Sequence, residues 1–72
     1  MDIVLVDLKE SFQIIPYSPL GLLWLQMHFE ESEWDLLASA SVKLPLQNAN
    51  ELFEDAKTSG LILKRIKEFS IA

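Results

Sequence analysis

Residues 28 to 44, HFEESEWDLLASASVKL, can be folded on paper in two ways, and the choice sets the architecture of the whole chain. As the returning arm of a β-hairpin, the stretch would put Glu30, Glu31, Glu33 and Asp35 at a charged tip. As a capped helix, it would spread the same acids over a first turn. Over residues 33 to 44 all six even positions (Trp34, Leu36, Ala38, Ala40, Val42, Leu44) are apolar and five of the six odd ones are polar, so 11 of 12 fit a period of two. The helical template from Trp34 accounts for Trp34, Leu37 and Ala38 but leaves Leu36 and Ala40 unexplained. Pattern decides more often than propensity, so the strand is the expectation. A short helix at about 32–40 is the alternative, because Ser32-Glu33-Trp34-Asp35 resembles a capping box.

The strand reading carries a register. A loop of Glu30 to Glu33 sets Phe29 opposite Trp34, Met27 opposite Leu36, Leu25 opposite Ala38 and Leu23 opposite Ala40, so that two apolar stripes coincide. The preceding Ser18-Pro19-Leu20-Gly21 then reads as a type I turn. Leu22 to Phe29 would be a strand with Leu23, Leu25, Met27 and Phe29 toward the core. Leu22, Trp24 and Leu37 would point to the opposite face.

Upstream, Ile3–Leu8 and Phe12–Tyr17 read as strands joined by a polar turn, with Leu8 facing Phe12, Val6 facing Ile14 and Leu5 facing Ile15. Apolar residues on both faces suggest burial on both sides. Downstream, Pro45 suits the first position of a helix, and Leu46, Ala49, Leu52, Phe53 and Ala56 recur at helical spacing before Gly60 stops it. Residues 61–71 mix apolar and basic side chains as a final strand, expected at a sheet edge where lysine discourages unwanted pairing. The expected fold is α+β: a mainly antiparallel sheet of four to five strands, one helix at about 45–58 packed on one face, and the order ββββαβ.

Seventy-two residues make a single small domain, 1–72, at a size where folding buries only about 60% of the surface an unfolded chain exposes. Disulfides cannot compensate, because there is no cysteine, and a lone histidine cannot supply a structural zinc site. Half the residues are hydrophobic, including 13 leucines and six isoleucines, so self-association is expected. No apolar run reaches the roughly 18 residues that span a bilayer, and an acid at position 2 is unlike a secretory signal. A cytoplasmic protein without a membrane partner is the expectation.

The net charge is −5, and it is unevenly spread. His28 to Asp55 holds seven acids against Lys43 alone, whereas Ala56 to the end holds four bases against Glu68. Clustered Lys and Arg, which nucleic acid requires, are missing apart from the short KRIK at 64–67, so direct nucleic-acid binding is not expected. No catalytic, metal or cofactor motif is present, so no cofactor is expected and the chain does not read as an enzyme. His28 could pair with Asp35 as an acid/base dyad, but no nucleophile stands beside them and a surface cross-strand pair explains both. Four carboxylates in Glu30–Asp35 could hold a hard cation, yet the spacing and glycine of a calcium loop are lacking, and acidic loops are commonly just solvated.

The apolar excess is the informative feature. One helix covers one face of a small sheet, which leaves Leu22, Trp24 and Leu37 without an assigned cover. These three, with Glu30, Glu31 and Glu33 steering a basic surface, are the expected binding residues of a small acidic protein-interaction or assembly module, homodimeric or docked on a protein partner. An acidic regulator that mimics nucleic acid and occupies a basic protein is the alternative.

Overall fold

The computed structural model describes residues 1–67. Strands β1 (Ile3–Asp7) and β2 (Phe12–Pro16) are followed by helix α1 (Pro19–His28), a 3-10 turn (Glu31–Glu33), helix α2 (Trp34–Ala38), the two-residue strand β3 (Lys43–Leu44), helix α3 (Leu46–Thr58) and β4 (Leu63–Lys67). The fold is α+β, with three helices and one four-stranded sheet in the order β3-β2-β1-β4. The sheet is mixed: β2 is antiparallel to β1 and β3, but β4 runs parallel to β1. The expected order ββββαβ is therefore corrected to ββααβαβ, and the single helix to three.

The largest correction is at residues 18 to 29. Ser18-Pro19-Leu20-Gly21 does not reverse the chain; it starts a helix. The Ser18 hydroxyl accepts the Gly21 N–H at 2.9 Å as the N-cap, and Pro19 takes the first helical position, where its missing N–H costs nothing. Gly21 also lets α1 sit directly on the sheet, since a Cβ there would lie 2.1 Å from the Asp2 carbonyl oxygen. Glu31 to Ala38 is helical as well, as the alternative for 32–40 anticipated, and only Lys43–Leu44 of the expected long strand pairs with the sheet. The expected register of Phe29 with Trp34 does not exist. Instead the Trp34 indole N–H donates to the carbonyls of Gln26 and Phe29 (3.1 and 3.2 Å), fastening α2 to the unsatisfied end of α1.

The first hairpin forms, one residue out of the expected register: Asp7 lies opposite Phe12, Leu5 opposite Ile14 and Ile3 opposite Pro16. The Asp7 carboxylate accepts the Lys9 N–H at 2.8 Å, and Lys9 adopts φ 79°, so the turn closes at Asp7 instead of Leu8. Helix α3 matches its expectation over Leu46–Thr58. It ends in a Schellman motif: Leu61 N–H donates to Ala56 O, Gly60 N–H to Lys57 O, and Gly60 supplies φ 92°. The final strand is at a sheet edge, as expected, over Leu63–Lys67; positions 68–71 of the expected strand lie outside the described residues.

One core joins these elements. Ile3, Leu5, Phe12 and Ile14 from the sheet pack with Trp24 and Leu25 of α1, Leu37 of α2, Val42, Ala49 and Ala56 of α3, and Leu61. Val4 and Val6, on the other face of β1 by strand alternation, are buried outside that cluster, so β1 is covered on both faces.

Candidate protein-interaction surface

The expected binding residues divide in the structure. Trp24 is 9% exposed and Leu37 is 0% exposed, both inside the core, and Leu22 is half-buried against it. The apolar part of the expected surface is thus internal: in a helix, positions 21, 24 and 25 share the sheet-facing side, whereas the alternation of a strand had sent Trp24 outward. Glu30 and Glu31 are exposed and Glu33 is half-buried, all on or beside the 3-10 turn between α1 and α2.

What α1 shows to solvent is Leu23 and Met27, two of the four residues expected to face the core, together with Leu20 from the expected turn. Leu20, Leu23 and Met27 are 58, 55 and 75% exposed. At spacings of three and four they lie one above another on one side of α1. A helix apolar on every side is ordinarily buried on every side, and here only one side meets the sheet. Glu30 and Glu31 follow directly after the stripe, so an apolar strip ends in an acidic rim. Asp2 gathers further exposed apolar residues at one end of the sheet. Its N–H donates to Ile62 O and its carbonyl accepts from Tyr17 N–H, which brings exposed Met1, Tyr17 and Ile62 to the same end of the sheet.

Asp2 fastens that end through its side chain as well. The carboxylate accepts the Ile62 N–H at 2.9 Å and the Ser18 hydroxyl at 2.7 Å, and these hydrogen bonds, the first more than the second, hold its pKa below the ordinary value of 3.8. His28 does not face Asp35 across a strand pair, since both lie on helices. Its ring stacks on Trp24 with centroids 3.9 Å apart, and Nδ1–H donates to the Trp24 carbonyl at 2.9 Å. It borders a cleft of about 270 Å³ shared with Phe29, Asn48, Glu51 and Asp55. A second cleft, of about 260 Å³, lies among Asp7, Phe12, Arg65, Ile66 and Lys67. Both fall below the roughly 300 Å³ at which small-molecule sites begin. Among the described residues no three His, Asp or Glu side chains are grouped to hold a metal ion, and no helix is long and apolar enough to cross a membrane.

A family model described as the cyanobacterial NIF11-like domain matches residues 4–67, and the chain belongs to that family. No curated protein and no solved structure matches the chain.

Proposed function

We propose that this NIF11-like chain is a non-enzymatic cytoplasmic interaction module that pairs with a second copy of itself through the outer side of α1. The observation that supports the reading is the exposed strip Leu20, Leu23, Met27 on a helix that has no polar side. Its layout suits a two-fold contact. With two α1 helices crossing antiparallel, Leu23 meets the partner's Leu23, and Leu20 meets the partner's Met27. Glu30 and Glu31 then approach the start of the other α1. That first turn contains no acid of its own, but Ser18 already accepts the Gly21 N–H and holds the Asp2 carboxylate beside it, so the helix dipole adds little to the contact.

One strip of a ten-residue helix buries less than the roughly 800 Å² per partner of a standard interface, so the pairing depends on concentration in the micromolar range. Sedimentation velocity across that range tests it. A monomer–dimer equilibrium is expected, with Leu23→Glu shifting it to monomer while the circular dichroism spectrum stays unchanged, because Leu23 is outside the core. Trp24 is the wrong residue for this experiment, since changing it would unfold the chain. A monomer at every concentration overturns the reading. If that monomer also bound basic proteins with a steep salt dependence, the chain would be the acidic regulator instead.

A further inference from the structure

The structure carries a second surface, of different chemistry, at the outer edge of β4, which has no further strand beside it among the described residues. That strand pairs with β1 on one side, and its other side is an edge of the sheet, five residues long against two in β3. Which backbone groups face outward follows from one hydrogen bond. Ile3 N–H donates to the Ile62 carbonyl, and in a parallel ladder the groups that bond a neighbour alternate along the strand. Ile62, Lys64 and Ile66 therefore turn their N–H and C=O toward β1. Those of Leu63, Arg65 and Lys67 point away from the sheet.

Three of the five side chains on this strand are basic, in a chain whose net charge is −5. Arg65 is held in place: its guanidinium lies over the rings of Phe12 (4.8 Å) and Phe53 (5.2 Å), and one Nη donates to Asn50 Oδ1 at 2.9 Å. Among the described residues Asn50 is the acceptor that it meets, out of a capacity of five donors. Arg65 and Lys67 line the second cleft, at the end of the strand; Asp7, also there, accepts the Lys9 N–H.

We propose that the outer edge of β4 takes an added strand from an acidic extended segment of another protein. The backbone of Leu63, Arg65 and Lys67 would supply the ladder hydrogen bonds, and Lys64, Arg65 and Lys67 would pair with carboxylates on alternate sides of the incoming strand. The edge of a second copy is the wrong occupant, because it would set lysine against lysine, and like charges across a strand pair are unfavourable. Asp7 is the acid that lines the cleft beside Arg65 and Lys67, and its carboxylate already accepts the Lys9 N–H. Screening over about 8 Å at physiological salt leaves the adjacent basic strand to decide. This edge shares no residue with the α1 strip, so either surface can fail alone.

The probe is a blocked peptide of alternating Glu and Val, titrated into the labelled full chain and followed by amide exchange in NMR. Before addition, the Leu63, Arg65 and Lys67 amides should exchange freely while Lys64 and Ile66 are protected; the peptide should protect the first three. The matching Lys/Val peptide should bind at least about tenfold more weakly, as should the acidic peptide to Arg65→Glu/Lys67→Glu. Backbone N-methylation of the peptide should abolish protection without changing its charge. The proposal is overturned if those amides are already protected in the free chain, if both peptides bind equally, or if the N-methylated peptide binds as well as the parent.

Discussion

Ala40 and Lys9 are the two non-glycine residues with positive φ among the described residues. Ala40 stands just past the end of α2 with φ 57°, where Ser41 N–H donates to Leu36 O (2.8 Å) and Ala40 N–H to Leu37 O (3.1 Å), the same Schellman pattern that closes α3. At the end of α3 that position is Gly60; here a Cβ occupies a left-handed conformation that disfavours it. Ala40→Gly keeps every one of these bonds, including the Ala40 carbonyl that accepts from Gln13 Nε2 at 2.7 Å, and removes the steric penalty. It should raise stability by about 1 kcal/mol, several degrees in midpoint for a domain this size, and a thermal or urea melt with an unchanged or lower midpoint would refute that. Asp2 makes the complementary case in electrostatics. Its carboxyl is held below 3.8, so the stability it contributes is present above that value and is lost as pH falls through the depressed folded value. Melts from pH 7 to pH 2 should show Asp2→Asn less stable than the parent at neutral pH and the gap closing below about pH 4; a constant gap would show that ionisation of Asp2 is not what matters.

At the scale of elements, what could be read from the chain depended on whether an element has two unlike sides. Helix α3 was legible because Ala49, Leu52, Phe53 and Ala56 alternate with Glu51, Glu54 and Asp55 at a period only a helix produces, between a proline start and a glycine stop. Helix α1 was not. Leu22, Leu23, Trp24, Leu25 and Met27 are apolar at almost every position, so periods of 2 and 3.6 fit equally well. The informative signal was at its start, where Ser-Pro suits an N-cap and first helical position as well as it suits a turn. At the end of α2 and just beyond it the small residues Ala38, Ser39, Ala40 and Ser41 imitate a strand alternation, although Ala38 is an exposed helical residue and Ala40 is in a turn. Those two misreadings moved the candidate site. Treating α1 as a strand exchanged its sides, so Trp24 was sent outward and Leu23 and Met27 inward, the reverse of what the helix does. The acidic group Glu30, Glu31 and Glu33 kept its place at a connection, with Glu30 and Glu31 exposed and Glu33 half-buried, because charge at a chain reversal tends to stay solvated whichever elements it joins.

Across the whole molecule, the first strand and the last described one pair side by side. Strand β1 pairs with its neighbour β2 through a short turn and with β4 from sixty positions away, Ile3 beside Leu63. Without β4, β1 becomes an edge whose Ile3 and Leu5 backbone groups have no partners, and Leu61 and Leu63 no longer cover the core. Burying one leucine is worth about 2 kcal/mol, and a core of this size rarely leaves more than roughly 3–5 kcal/mol in total, so losing two leucines and a ladder exceeds what the remainder can supply. A chain ended at Gly60 is therefore expected to lose its cooperative thermal transition and its slowly exchanging Val4–Val6 amides, even though it retains the β1–β2 hairpin and all three helices in sequence. Survival of a cooperative melt in that shortened chain would mean that β4 is an ornament on a self-sufficient core, and that its basic edge evolved free of any structural duty. Loss of the melt would mean instead that the strand offered to a partner is the one that closes the fold, so that binding at its outer edge would stabilise the whole domain by mass action.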